Sequence, residues 1–444
     1  MHSLFLIGAK ARFASFCTLL LFGFVGLASG AVPEVSDVEV VPFTLPADLH
    51  SGSNLSIALP GARELRFSLT NHPVAAGLVG LTGLSTTGDR LYLFVAAGRI
   101  ASGDIYARGG RYQLVRRAGV TGWATYDPAR LSTRSWQDDN PRTMPRGARA
   151  KSTPATEAPG ADGLYRVDVL VLHTRTYAQE LGSDVAAEAQ RVTFLANAYN
   201  ENSRIPVRYV LVGVERTEAA DERVGYYEDR DALAASDDVR AARDRAGADL
   251  VVLLRGAGGV NPEGICGLSS IFDPDDRSDP PANVDPERDA FVVLGPCGDT
   301  GFAHELGHAL AGGHVYLMAP TFPYWKPYSH GQLCGDAGAG RAYTSVMFGA
   351  NISLTGEDRP VEGDFFTNPD LLLDGQVCGS DGVEGIEATQ ANNARAMTEA
   401  APYVAAYRSS ARTAESAAAR GGAMSVWLAL GLLLVRRRTV AVRL

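Results

Sequence analysis

His304 and His308 stand four residues apart, with Glu305 beside the first. On a helix, positions i and i+4 share a face, so both imidazoles project to one place and can bind one zinc ion. Glu305 then lies within reach of the metal's open side. A helix that simply continued would carry a residue six positions beyond His308 away from the metal. Gly312-Gly313 removes that obstacle: glycine reaches positive φ cheaply, so the pair can end the helix and turn the chain until His314 closes a three-histidine site. Such a site leaves one position for water. A zinc ion held by three neutral imidazoles keeps its positive charge, lowers the pKa of bound water towards about 7 and polarises a peptide carbonyl. Glu305 can take the water proton and pass it to the leaving amine. With eight histidines in the chain, such a histidine-glutamate-histidine match arises by chance on the order of 0.01 times, and roughly 0.0001 times with the third histidine added.

The other chemistry-bearing residues read as ordinary. No serine or cysteine stands in a nucleophile motif. His173 and His330 have no partner at ligand spacing, and His50 and His72 are isolated. The acidic stretch Asp273-Pro274-Asp275-Asp276, Asp279, Asp285 and Asp289 raises calcium as a second metal, but it lacks EF-hand spacing and reads first as a solvated loop. Gly256-Ala257-Gly258-Gly259 lacks the third glycine of a dinucleotide fingerprint and reads as a loop. Glu362 is an alternative third ligand, should the site take a downstream glutamate instead of His314.

Two kinds of structure must surround these residues. Alternating, β-rich runs cover 64–69, 90–95, 103–106, 112–116 and 122–126, with turns such as Thr87-Gly88-Asp89 and Arg108-Gly109-Gly110 between them, so the first half predicts hairpins in a sandwich or meander. From Leu164 strands and helices alternate. Strands are expected over 165–174, 207–214 and 249–254, and helices over 183–197, behind a Ser/Asp cap, and 231–246. The fold class is therefore an α+β (α/β-type) domain preceded by a β-rich N-terminal domain.

A chain of 444 residues with 46% hydrophobic and 20% charged residues can build two or three cores. Its net charge of -9 excludes a general nucleic-acid binder, which needs clustered Lys and Arg. Lys10 and Arg12, the apolar run 13–27 and Ala28-Ser29-Gly30 before Ala31 have the layout of an export signal. At the other end, Gly421-Gly422, the apolar run 423–435 and Arg436-Arg437-Arg438 form a segment shorter than the about 20 residues of a full bilayer span. Either it is a marginal tail anchor or it resembles a bacterial Gly-Gly sorting signal, whose partner would be a rhomboid-like intramembrane protease. Both readings put the body of the chain outside the cytoplasm, secreted or on the cell surface, with transient anchoring in a bacterial inner membrane. Cys17 leaves with the signal, so Cys266, Cys297, Cys334 and Cys378 remain. An even number in an exported chain points to two disulfides. The most local closures are Cys266 with Cys297 and Cys334 with Cys378, among three pairings that stay open.

With these residues in view, the chain resembles the metzincin zinc metallopeptidases, in particular the reprolysin-like branch and the bacterial peptidyl-Asp metalloendopeptidases. His304, Glu305, His308 and His314 match the HExxHxxGxxH motif, and Ser345-Val346-Met347 looks like the methionine turn beneath the zinc. The resemblance runs from about Tyr165 to Arg408 and takes in Cys266-Gly267, Phe366-Thr367-Asn368-Pro369 and a closing helix over 391–407. It implies a metzincin-like catalytic domain, His304, His308 and His314 as zinc ligands, Glu305 as general base, Met347 packed under the ligands, and proteins or peptides as substrates. Two positions depart from the pattern. Ala311 occupies the motif's glycine, and Gly349 stands where some branches place a tyrosine ligand. The expected organisation is a signal peptide over 1–30, a β-rich domain and candidate propeptide over 31–140, a linker over 141–163, the peptidase domain over 164–408, a second linker over 409–420 and the sorting or anchor segment over 421–444. No cysteine falls between Ala31 and Ile265, so a zymogen would have to be held without a cysteine switch. The competing class is a catalytically silent surface binding module, which Ala311 favours and Glu305 disfavours.

Overall fold

The computed structural model describes residues 38–408 apart from 47–48, 76, 97, 109, 127–154, 183, 221, 257–264, 271–280, 282–283, 296–299, 319–323, 337–340, 349–360 and 374. The expected export signal, most of the first linker, Cys297, Gly349, Asp273 to Asp279 and the C-terminal segment lie outside the described residues.

In the first half, strands β1 (Val41–Pro42), β2 (Asn54–Leu59), β3 (Arg63–Ala75), β4 (Leu78–Ser85), β5 (Arg90–Ala96), β6 (Arg99–Ala107), β7 (Gly110–Arg117) and β8 (Val120–Thr125) form one sheet in the order β1-β8-β7-β6-β5-β4-β3-β2. From β2 to β8 every strand pairs with the next through a short turn, so this is a meander. β2, whose residues alternate exposed and buried, and the more irregular β4 belong to it in addition to the expected runs. β5 shows why the sheet needs the rest of the chain. Its alternate residues Leu91, Leu93 and Val95 enter the domain's own core with Phe67, Leu114 and Trp123. Tyr92, Phe94 and Ala96, on the opposite face, join the core of the second half.

The second half carries a five-stranded sheet in the order β10 (Val207–Arg216), β9 (Tyr165–His173), β11 (Leu250–Leu254), β13 (Phe291–Leu294) and β12 (Gly267–Ser269). The pairs are parallel except β12 on β13, which leaves an antiparallel edge. β11 and β13 are wholly buried, as near-continuous apolar runs covered on both faces must be. Helices α1 (Arg175–Leu181) and α2 (Val185–Asn202) make the crossover from β9 to β10, and Asp184 rather than a serine caps α2 through Ala186 N–H. The stretch expected as one helix over 231–246 is two, α3 (Tyr226–Ala235) and α4 (Asp237–Ala246). Ser236 is extended at φ -76°, ψ 121° and its hydroxyl accepts from Val239 N–H, so it starts a new helix instead of continuing the old one. α5 (Pro286–Asp289) precedes β13, and α6 (Thr300–Ala309) follows it and packs against α2. β14 (Leu333–Asp336), β15 (Arg341–Thr344), β16 (Val361–Glu362), the hairpin β17 (Asn368–Leu373) to β18 (Gln376–Cys378) and α7 (Asn393–Val404) follow among the described residues. Cys334 and Cys378 form a disulfide with Cα atoms 5.1 Å apart. Cys266 is disulfide-bonded as well. Among the described residues no helix is long and apolar enough to cross a membrane.

The halves meet along α2 and the segment that leaves β16. Tyr92, Tyr106 and Tyr199 stack edge to face, and the Tyr106 and Tyr199 hydroxyls lie 3.0 Å apart. A Cβ at Gly80 would fall 2.4 Å from the Phe194 ring, so only glycine lets β4 approach α2 this closely. Buried charges complete the contact. Asp364 pairs with Arg90 and accepts from Tyr92 O–H at 2.6 Å. Glu362 pairs with the buried Arg111 at 2.7 Å, and Arg111 also holds Asp104 at 2.8 Å. Burial, reinforced by Asp364, pushes the Tyr92 hydroxyl well above its ordinary pKa, so it stays protonated and donates.

Candidate metal centre

Helix α6 carries His304, Glu305 and His308, and its C-terminus brings in His314. The helix closes with Gly312 N–H on Gly307 O at 2.8 Å, a pairing that needs a left-handed residue just past the helix. That residue is Ala311, at φ 64°. The turn expected of Gly312-Gly313 is therefore made by an alanine, while the glycines serve close approach. A Cβ at Gly312 would lie 2.8 Å from Gly307 O, and one at Gly313 would lie 2.2 Å from Ser329 O.

The three rings converge with centroids 4.8, 5.1 and 4.5 Å apart. His314 Nε2 is 3.1 Å from His304 Nε2 and 2.8 Å from His308 Nε2. His304 Nδ1 faces Val346 O at 2.7 Å and His308 Nδ1 faces Gly312 O at 2.8 Å. A carbonyl only accepts, so both Nδ1 atoms carry the proton and both Nε2 atoms present a lone pair. Lone pairs aimed at one point repel unless a cation stands between them. The donor set thus fits a metal ion, and these three histidines are the one such group of potential ligands among the described residues.

Glu305 is 3% exposed and turns towards the edge strand, where a Cβ at Gly267 would meet Glu305 Oε1 at 2.2 Å. Met347 is fully buried under the helix, its Sδ 2.6 Å from where a Cβ at Gly307 would lie. The turn bearing it is held by Val346 N–H on Phe365 O at 2.8 Å, so the segment that follows Asp364 connects the β domain to the carbonyl behind His304. Glu362 points instead to Arg111, so it is not part of the cluster that His314 forms with His304 and His308. His330 sits in the second layer, Nδ1 donating to His314 O at 3.1 Å, with its pKa lowered because burial penalises the charged ring. His173 donates to Thr174 O at 3.0 Å, and His72 meets Thr82 Oγ1 at 2.9 Å, both apart from the triad. No calcium cage forms from the acidic stretch's described members: Asp285 caps α5, and the buried Asp289 accepts from Asp285 N–H and pairs with Arg288. Sequence reasoning took in Gly267 and Thr367 only as part of the resemblance, without a role, and did not single out Ser329 or Asn393; all four act through contacts distant along the chain.

Residues 163–339 match the model of metallopeptidase family M12. The likeness is to the M12 metallopeptidases. The M12-like segment covers β9 to β14 and includes the whole histidine triad. The Peptidyl-Asp metalloendopeptidase of Pseudomonas aeruginosa is 28% identical over 240 residues, which cover 52% of this chain and 39% of that protein. The chain therefore spans less than half the length of this curated relative. A solved structure of metalloproteinase-II from Bacteroides fragilis superposes with a TM-score of 0.36 at 12% identity, covering 63% of this chain and 87% of that one. A chaperone-substrate complex gives 0.40 at 17% identity, covering 69% and 39%. Both superpositions are too loose to bear on the fold.

Proposed function

We propose that the chain is an exported, metzincin-like zinc endopeptidase. The observation that carries this reading is the convergence of three Nε2 atoms, two of them with lone pairs fixed by the carbonyls behind His304 and His308, beside a buried carboxylate on the same helix. His304, His308 and His314 would hold the zinc, which supplies Lewis acidity to a peptide carbonyl and acidifies a bound water. The residues of the chain do the remaining work. Glu305 accepts a proton from the attacking water as its oxygen bonds to the carbonyl carbon. The same carboxyl returns that proton to the amide nitrogen as the C–N bond breaks, so the products are one acid and one amine. Val346 O and Gly312 O hold the His304 and His308 rings in the tautomer that donates a lone pair.

Residues 31–140 are proposed as a propeptide that restrains the enzyme without a thiol, because the described part contains no cysteine. The relative's name makes aspartate-containing peptides the first substrates to try. The test is zinc content by metal analysis together with casein hydrolysis before and after chelation, on protein sequenced at its N-terminus and on protein nicked by limited trypsin. Near-stoichiometric zinc with chelator-sensitive hydrolysis supports the reading; a metal-free protein, or hydrolysis indifferent to chelator, overturns it. The competing binding module, metal-free or catalytically silent, would cleave nothing whether or not it holds zinc.

A further inference from the structure

In the segment after α6, the four carbonyls from Ala311 to His314 are each tied down. Ser329 Oγ–H donates to Ala311 O and His308 Nδ1–H to Gly312 O at 2.8 Å. Asn393 Nδ2 donates to Gly313 O at 3.0 Å and His330 Nδ1 to His314 O at 3.1 Å. Asn393 also accepts Gly313 N–H through Oδ1 at 2.9 Å, so one carboxamide makes the two-bond pairing that a neighbouring strand would make. It is fully buried at the start of α7, 80 residues along the chain. Thr367 joins the two arms: its hydroxyl donates to His330 O at 2.6 Å and accepts Asn393 N–H at 2.9 Å.

This network is dense where the backbone most needs it. Ala311 holds φ 64°, a region in which a Cβ crowds the following carbonyl and which glycine enters freely. An alanine there has a constant tendency to relax out of the turn. Relaxation would rotate the next three residues and carry His314 away from His304 and His308. An external hold on Ala311 O, Gly313 and His314 O opposes that rotation without touching any ring nitrogen that faces the metal.

We infer that Asn393, with Ser329 and His330, is the positioning residue of the third metal ligand and offsets the alanine at position 311. The inference rests on the three-histidine metal reading. Asn393→Asp keeps the acceptor for Gly313 N–H and loses the donor to Gly313 O; Asn393→Ala loses both. Zinc affinity, measured on the full chain by competition with a chromogenic chelator, should fall about 10-fold in the first and towards about 100-fold in the second. Adding Ala311→Gly to Asn393→Ala should recover part of the loss, because glycine needs no external hold. Cobalt-loaded Asn393→Asp should show an altered visible spectrum as His314 shifts. Met397→Ala, a buried change in the same helix away from the turn, should lower the melting temperature of the metal-free protein and leave zinc affinity unchanged. If Asn393→Ala does not fold, Asn393→Asp and Ser329→Ala carry the comparison. Wild-type zinc affinity in those variants, or an equal loss in Met397→Ala, overturns the inference alone. A wild-type chain that takes up no zinc overturns the metal reading itself.

Discussion

Gly267 and Glu305 face each other across the edge strand so closely that a Cβ on the glycine would stand 2.2 Å from Glu305 Oε1 and 2.5 Å from its Cδ. The space of a missing side chain on β12 is thus what receives the carboxylate of the candidate base. Gly267→Ala should displace Glu305 and leave the histidines in place. The expected outcome is a fall in kcat/KM of about 100-fold with zinc content unchanged, since a small misplacement of a catalytic group costs that order. Steady-state kinetics with parallel metal analysis check it; unchanged kinetics would show that Glu305 needs no such recess.

Ala311→Gly in the otherwise natural chain removes a Cβ from a left-handed position. Relief of that crowding is worth about 1–2 kcal/mol, and the extra freedom of the unfolded glycine returns roughly half. A net gain of up to about 1 kcal/mol in denaturant unfolding is expected. A loss would mean that the clamp has already absorbed the strain.

Asp364 lies under Arg90 and the Tyr92 hydroxyl, and the adjacent Phe365 O holds the Val346 turn. Asp364→Ala strips a charge partner from a contact shared by both halves. Leaving one member of a buried pair alone costs about 3 kcal/mol or more. The variant should unfold earlier in urea and show a weaker hold on zinc, because Val346 O orients His304. Wild-type stability would make the interdomain pair incidental.

Asp89 gives a pH handle on the β domain. Burial, the largest single influence, pushes its carboxyl up, but the Thr87 hydroxyl, the Arg108 N–H, the Ser85 hydroxyl and the Arg63 guanidinium together hold it below the ordinary value of 3.8. A group whose pKa is lower folded than unfolded adds stability above the unfolded value and loses it as pH falls through the folded one. Acid titration should therefore show wild type ahead of Asp89→Asn at neutral pH, with the gap closing below about pH 4. A gap that widens on acidification would reverse the assignment.

Much of this was legible in the sequence wherever one local rule decided the matter. The i, i+4 histidines placed two members of the ring cluster on one helix face, the period-2 runs located β3 and β5 to β8, and the alternation after Leu164 announced the α/β half. What the sequence hid was set by partners far along the chain. Ser236 splits a helix that periodicity alone would continue. Ala311, at a glycine's φ, is intelligible only beside Ser329 and Asn393. Gly267 looks like any strand glycine until Glu305 occupies its missing side chain. The sharing of one core by Tyr92, Phe94 and α2 was equally out of reach, because alternation along β5 shows two apolar faces without saying what covers the second.

Glu305→Gln tests the central claim most directly, because it removes the proton acceptor and keeps the shape, the neighbours and all three histidines. Peptide hydrolysis by the zinc-loaded variant should fall by several orders of magnitude against wild type of equal zinc content. Hydrolysis within a few-fold of wild type at equal zinc would contradict the assignment of Glu305 as the base.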